Sequence, residues 1–155
     1  MRKIRSKIKP VIDHWNEERI ASERELMNKY GLRRKKELRI AEAILRGFRN
    51  QAKQLLTKAD ENKKKVLFEK LQSLNVLGVD QNLDDVLSLA LEDILERRLQ
   101  TIVNKKGFAK TVKQSRQMIT HGRVCINSHK ITFPSYLVRK AEEDGIMLNV
   151  KGAQK

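Results

Sequence analysis

Apolar positions recur every three or four residues over four stretches of the chain, the spacing of one buried stripe along a helix. The first stretch predicts a helix from Asn16 to Lys29 with Ile20 and Leu26 pointing inward, stopped at Gly31, where a left-handed residue is favoured. From about Lys35 to Lys58, the positions Leu38, Ala41, Leu45, Phe48, Ala52, Leu55 and Leu56 mark a longer helix. A third, from about Asp60 to Leu74, turns Leu67, Leu71 and Leu74 inward and Lys63, Lys64 and Lys65 outward, with Gly78 closing it. A fourth, from about Asp84 to Val103, buries Leu87, Leu91, Ile94, Leu95, Leu99 and Ile102. Asp84 and Asp85 in its first turn, and Arg97 and Arg98 towards its end, suit the helix dipole.

After Gly107 the pattern changes. Thr111-Val112-Lys113-Gln114 has the form of a capping box, in which the threonine hydroxyl and the glutamine amide satisfy free backbone amides at a helix start. A short helix from there to His121, ended by Gly122, places Val112, Ser115, Met118 and Ile119 on one side and Lys113, Arg116, Gln117 and Thr120 on the other. Val124-Cys125-Ile126 and Lys130-Ile131-Thr132-Phe133 flank Asn127-Ser128-His129 and read as a hairpin, although Asn-Ser is a weaker turn signal than Asn-Gly. A last strand is expected within Ile146 to Val150. The fold class is therefore α+β and mainly α, a helical domain followed by a helix-loop-helix and a small β-hairpin or sheet.

Charge adds what the apolar pattern does not show. Lys and Arg number 34 against 19 Asp and Glu, a net charge of +15, and a chain this basic calls for a polyanionic partner. The signs are also segregated. Leu71 to Glu96 holds six acids and no Lys or Arg, whereas Asn104 to Lys140 holds nine Lys or Arg and no acid. A surface serving solubility alone would mix the two, so the second block reads as a footprint for phosphates. Arg2, Lys3, Arg5, Lys7 and Lys9, ahead of Pro10, read as a basic arm that orders on a polyanion.

Other classes of function lack their residues. No stretch approaches the 18 uncharged apolar residues of a membrane span, and the first residues lack the apolar core of a signal peptide, so a cytosolic protein without a membrane partner is expected. Cys125 is the single cysteine, read as a small buried strand residue, and His14, His121 and His129 are scattered, so no zinc-ligand spacing exists. There is no Gly-rich nucleotide cradle and no supported Asp-His-Ser or Cys-His set. No catalytic residue, metal or cofactor is expected. Aromatics make up only 5% of the chain, which argues against a platform for stacking single strands and for reading RNA through shape and phosphates.

Two runs carry a resemblance. The first comprises His14-Trp15-Asn16, Arg19-Ile20, Tyr30-Gly31-Leu32-Arg33, Glu37-Leu38, Ala41-Glu42, Leu45-Arg46, Arg49, Gln51-Ala52 and Leu55-Leu56. The second comprises Leu95-Glu96-Arg97-Arg98-Leu99-Gln100-Thr101-Ile102-Val103, Lys106-Gly107, Lys113-Gln114, Arg116-Gln117, Ile119, His121-Gly122, Asn127 and Pro134-Ser135-Tyr136-Leu137-Val138. In these the chain resembles the universal small-subunit ribosomal protein number four family, in its archaeal and eukaryotic form. Val112 departs from the proline common at that first helical position, and Ser128 from a common turn glycine.

The resemblance implies a basic arm over 1–15, a helical domain over 16–93, an RNA-binding module over 94–150 with a short C-terminal strand, and a tail over 151–155. It implies a structural constituent of the small subunit that binds its ribosomal RNA and supports assembly. The partners implied are that RNA, neighbouring ribosomal proteins, and messenger RNA near the side where it enters. A free ribosome-associated or rescue factor carrying the same module is the alternative; the run from His14 to Leu56 belongs to the ribosomal form.

The expected RNA contacts are the arm cations, Trp15, Arg33, Arg34, Lys35, Arg46, Arg49, Arg98, Lys105, Lys106, Lys110, Thr111, Lys113, Gln114, Arg116, Gln117, His121, Arg123 and Lys130. Trp15 has two readings, a base-stacking ring or a wedge between helices. Arg98 and Arg116 have Glu96 and Glu142 as candidate partners, but the acid-free stretch around Arg116 favours phosphate.

Overall fold

A computed structural model describes residues 15–58, 60–78 and 82–149. Helix α1, Glu17–Lys29, starts where the Asn16 side chain accepts the Arg19 N–H at 2.9 Å, with Glu17 and Glu18 in its first turn and Lys29 in its last. Gly31 follows at φ +59°, and the Leu32 N–H returns to the Met27 carbonyl at 2.9 Å, closing the helix end. A side chain at Gly31 would also collide with the Gln100 amide nitrogen, 2.8 Å from where its Cβ would stand.

Helix α2, Lys35–Thr57, is the spine of the helical half, burying Leu38, Ala41, Leu45, Phe48 and Ala52. Leu55 is half-buried, and Leu56, expected in the stripe, is 53% exposed. One residue past Leu55 is a 100° turn away from the apolar face. Helix α3, Glu61–Ser73, buries Leu67 and Leu71 against α2 and leaves Lys63, Lys64 and Lys65 outside. Its closure is Asn75 at φ +51°, with the Val76 N–H on the Leu71 carbonyl at 3.1 Å, so Asn75 and not Gly78 ends it.

The single helix expected from Asp84 to Val103 is three: α4, Leu83–Ser88; α5, Leu91–Glu96; and α6, Leu99–Lys105. Tertiary bonding overrides the periodic pattern at both breaks. At the first, the Leu89 carbonyl leaves the helix and accepts from Arg49, and the Asp93 carboxylate caps the Ala90 N–H at 2.7 Å. At the second, the backbone of Arg97 and Arg98 is drawn into pairing with the chain near Val138: Val138 N–H donates to Arg97 at 3.0 Å, Arg98 bridges Leu137, and Leu99 N–H donates to Tyr136 at 2.8 Å. The Thr101 hydroxyl donates to the Leu95 carbonyl at 2.9 Å, adding to the backbone N–H bonds that carbonyl accepts at the end of α5.

Helix α7, Val112–Thr120, leads into a three-stranded antiparallel sheet of order β2-β1-β3, formed by β1, Val124–Ile126; β2, His129–Lys130; and β3, Ile146–Leu148. The short helix α8, Lys140–Glu143, precedes β3. Register pairs Cys125 with Lys130 and with Met147. Asn127 and Ser128 both take positive φ, +46° and +72°, the two-residue turn that matches strand twist. Ser128 thus adopts the left-handed backbone without glycine, while Thr132 and Phe133 lie outside the paired strand.

Two apolar cores result. One gathers α1 to α5 and the intervening turns, from Tyr30 and Leu38 to Ile94 and Leu95. The other gathers Leu99, Ile102, Val103, Ile119, Val124, Ile126, Val138 and Ile146. The change of core falls at the Arg97–Arg98 break. Among the described residues, no helix is long and apolar enough to cross a membrane.

Candidate nucleic-acid interface

The α6–α7 elbow is held from within. The Thr111 hydroxyl accepts the Gln114 N–H at 3.2 Å, and the Gln114 side chain reaches back to the Lys110 N–H at 2.9 Å, one residue ahead of the cap itself. Ser115 and Ile119 are fully buried, and Val112 and Met118 half-buried, which sets the rotation of the helix. At 100° per residue, the outward arc then runs from Lys113 and Thr120 through Gln117 to His121 and Gln114, all exposed. His121 caps the helix end, and Gly122, at φ +66°, turns the chain so that the Arg123 N–H meets the Met118 carbonyl at 2.9 Å. The Lys130 stem crosses Gly122 so closely that a Cβ there would stand 1.8 Å from its Cε. Lys110, Lys113, His121, Arg123 and Lys130, with Thr111, Gln114 and Gln117, are therefore exposed polar groups on a packed support.

Arg98 and Arg116 are placed otherwise. Both reach Glu37 of α2: Arg116 donates through two nitrogens, each at 2.9 Å, and Arg98 through one at 2.8 Å. The Arg98 side chain is only 5% exposed, so a phosphate has no access to it, and its expected RNA contact is corrected to a buried structural pair. Arg116 is 24% exposed, and its acid-free stretch of sequence is not acid-free in space, because α2 packs the Glu37 carboxylate against it. Burial raises the pKa of Glu37, but hydrogen bonds from Arg116 and Arg98 outweigh it and hold the carboxyl below its ordinary value.

Gln100 adds a second tie. Fully buried, its amide nitrogen donates to the Gly31 carbonyl at 3.1 Å and to the Val112 carbonyl at 3.0 Å, linking the turn after α1 to the start of α7. Sequence reading assigned no role to Glu37 or Gln100. The available signal was their place inside the two resembling runs.

The remaining predicted contacts divide. Arg33 and Arg34 are exposed at the start of α2, and Lys35 beside them pairs with Glu23 at 2.9 Å. Arg49, half-buried like Arg46, donates to the Leu89 carbonyl at the α4–α5 break. Lys105 pairs with Glu96 at 3.0 Å, and the Lys106 ammonium donates to the Glu143 carbonyl. Trp15 is 87% exposed and is not wedged between the described helices. Arg2, Lys3, Arg5, Lys7 and Lys9 lie outside the described residues.

Comparison with known proteins agrees with this architecture. The S4 domain family model matches residues 97–144, from the break before α6 to the turn before β3. The small ribosomal subunit protein uS4 of Ignicoccus hospitalis is 45% identical over 146 residues, covering 92% of this chain and 88% of its own. Those of Picrophilus torridus and Methanococcus aeolicus are 49% and 52% identical, covering 87% and 85% of this chain and 77% of each relative. With identity of this level running through both the helical half and the matched module, the chain belongs to the uS4 family of small ribosomal subunit proteins.

Proposed function

We propose that this protein is a structural constituent of the small ribosomal subunit, holding folded small-subunit ribosomal RNA on the exposed cations around α7 and supporting subunit assembly without a catalytic step. The observation that carries the reading is the outward set Lys110, Lys113, His121, Arg123 and Lys130, fixed by a buried helix face and a capped elbow. Lys110, Lys113, Arg123 and Lys130, carried on a packed support with the polar His121, suit an RNA helix recognised through shape and phosphates. Arg33 and Arg34, exposed just before α2, extend the basic surface onto the helical half, and the arm cations Arg2 to Lys9 add positive charge in the sequence ahead of it.

A division into a helical domain over 16–93 and an RNA-binding module over 94–150 belongs to this reading; the change of core supports two parts, with Ile94 and Leu95 packed on the helical side and the second core beginning at Leu99. Its setting is the cytoplasmic ribosome, with neighbouring small-subunit proteins against the helical domain and messenger RNA near the side where it enters. The test is a sedimentation experiment on lysate of cells expressing the tagged full chain. Retention on small subunits through a high-salt gradient is expected. Recovery in the free fractions would favour a dissociable ribosome-associated factor instead.

A further inference from the structure

One cleft on the module is not accounted for by phosphate contacts. About 310 Å³ in volume, it is lined by Phe108, Gln114, Gln117, Met118, His121 and Arg123. Residues 114, 117, 118 and 121 form a single stripe of α7 at spacings of three and four. Opposite them, Phe108 is set by the turn after α6, where its N–H meets the Val103 carbonyl at 3.2 Å, and Arg123 by the turn after α7. Phe108 and Met118 are half-buried and back onto the second core, so the cleft has an apolar, aromatic wall. Its rim is polar, and among the described residues the side chains of Gln117, His121 and Arg123 make no hydrogen bond or ion pair.

We propose that this cleft receives one unstacked nucleobase of the RNA that the neighbouring cations hold; the inference rests on the RNA-binding reading above. Size and chemistry both favour a base. The volume lies at the lower end of the ~300–1,000 Å³ typical of small-ligand clefts. An aromatic ring offers a stacking face that a phosphate does not use, and a primary amide supplies a donor and an acceptor matched to a base edge. Lys110, Lys113 and Lys130 neutralise the flanking backbone, while His121 and Arg123 at the rim meet the phosphate or the base plane. The site makes the module a reader of one extrahelical position, in addition to a clamp on helical shape.

The test uses the full chain and archaeal small-subunit ribosomal RNA transcribed in vitro, with chemical probing of Watson–Crick edges and of the sugar–phosphate backbone. The unaltered protein is expected to protect the base edge of an unpaired nucleotide. Gln117→Ala, an exposed substitution, and Phe108→Leu, which keeps apolar volume but removes the ring, should each restore reactivity at that base while backbone protection elsewhere persists. Affinity should fall about fivefold to a hundredfold for Phe108→Leu, the range of one lost base–aromatic stack. Should Phe108→Leu lower the melting midpoint, Gln117→Ala decides alone. Protection confined to the backbone, or base protection unchanged by Gln117→Ala, overturns the inference and leaves the RNA clamp standing. No binding to this RNA at all sinks the RNA-binding reading itself.

Discussion

The Glu37 carboxylate takes both arms of the Arg116 guanidinium at 2.9 Å, joining α2 to α7 across 79 positions of sequence. Arg98 completes the cluster from between the two cores. The tie fixes how the helical half presents the RNA-facing module, and within it Glu37 is the group both guanidinium ions share. Replacing it with alanine leaves Arg98 buried without an anion, for which ~3–5 kcal/mol of destabilisation is expected. Arg116→Ala should be milder, ~1.5–3 kcal/mol, because Arg98 still neutralises Glu37. Urea melts of the two variants check the order; equal effects would show that Arg98 is not the group at risk.

The same pair predicts an acid response. Because the folded state holds Glu37 below its ordinary 4.5, its contribution is complete above that value and is lost as pH falls through the folded pKa. Stability measured from pH 6 downwards should decline more steeply in the unaltered protein than in Glu37→Gln. Parallel profiles would place the acid sensitivity elsewhere.

Exposed cations should separate from buried ones in salt. If roughly six to eight phosphates are neutralised, log affinity should fall against log salt with a slope of about −5 to −7. Changing Lys110, Lys113 and Arg123 together to alanine should make that slope shallower by about 3 and leave the melting midpoint nearly unchanged. A slope unaltered by the triple change would remove the surface around α7 as the binding face.

Ile119 should behave in the opposite way. Fully buried in the second core, it is expected to lose ~2–5 kcal/mol on truncation to alanine. RNA affinity should hold at temperatures where the variant remains folded and vanish with its melting. Affinity lost while the fold is intact would mean that α7 touches RNA through its inner face.

Gly122 is a matter of backbone. At φ +66°, alanine is strained by ~1–2 kcal/mol and displaces the Lys130 stem lying across it. Gly122→Ala should therefore weaken both fold and RNA binding. Adding Lys130→Ala should recover stability only in part, since the backbone strain remains. Complete recovery would make the collision the whole effect.

The sequence by itself determined the helices whose apolar stripes are long and whose ends carry local signals. The Leu38 to Ala52 face of α2, the threonine-capped start of α7 and the left-handed turn at Gly31 were legible because each depends on residues within a turn or two of one another. So was the solvent-facing set of cations on the acid-free segment, since an unpaired charge block has to face water or a polyanion. Tertiary structure alone decided where the chain breaks between Asp84 and Val103. The periodic pattern continues through Leu89 and Arg98, but long-range bonds from Arg49 and from the Tyr136–Val138 segment claim those backbones. It also decided the fate of the arginines. Local composition cannot distinguish an arginine that meets phosphate from one that meets Glu37, because the carboxylate arrives from 79 residues away, and packing determines which guanidinium it reaches.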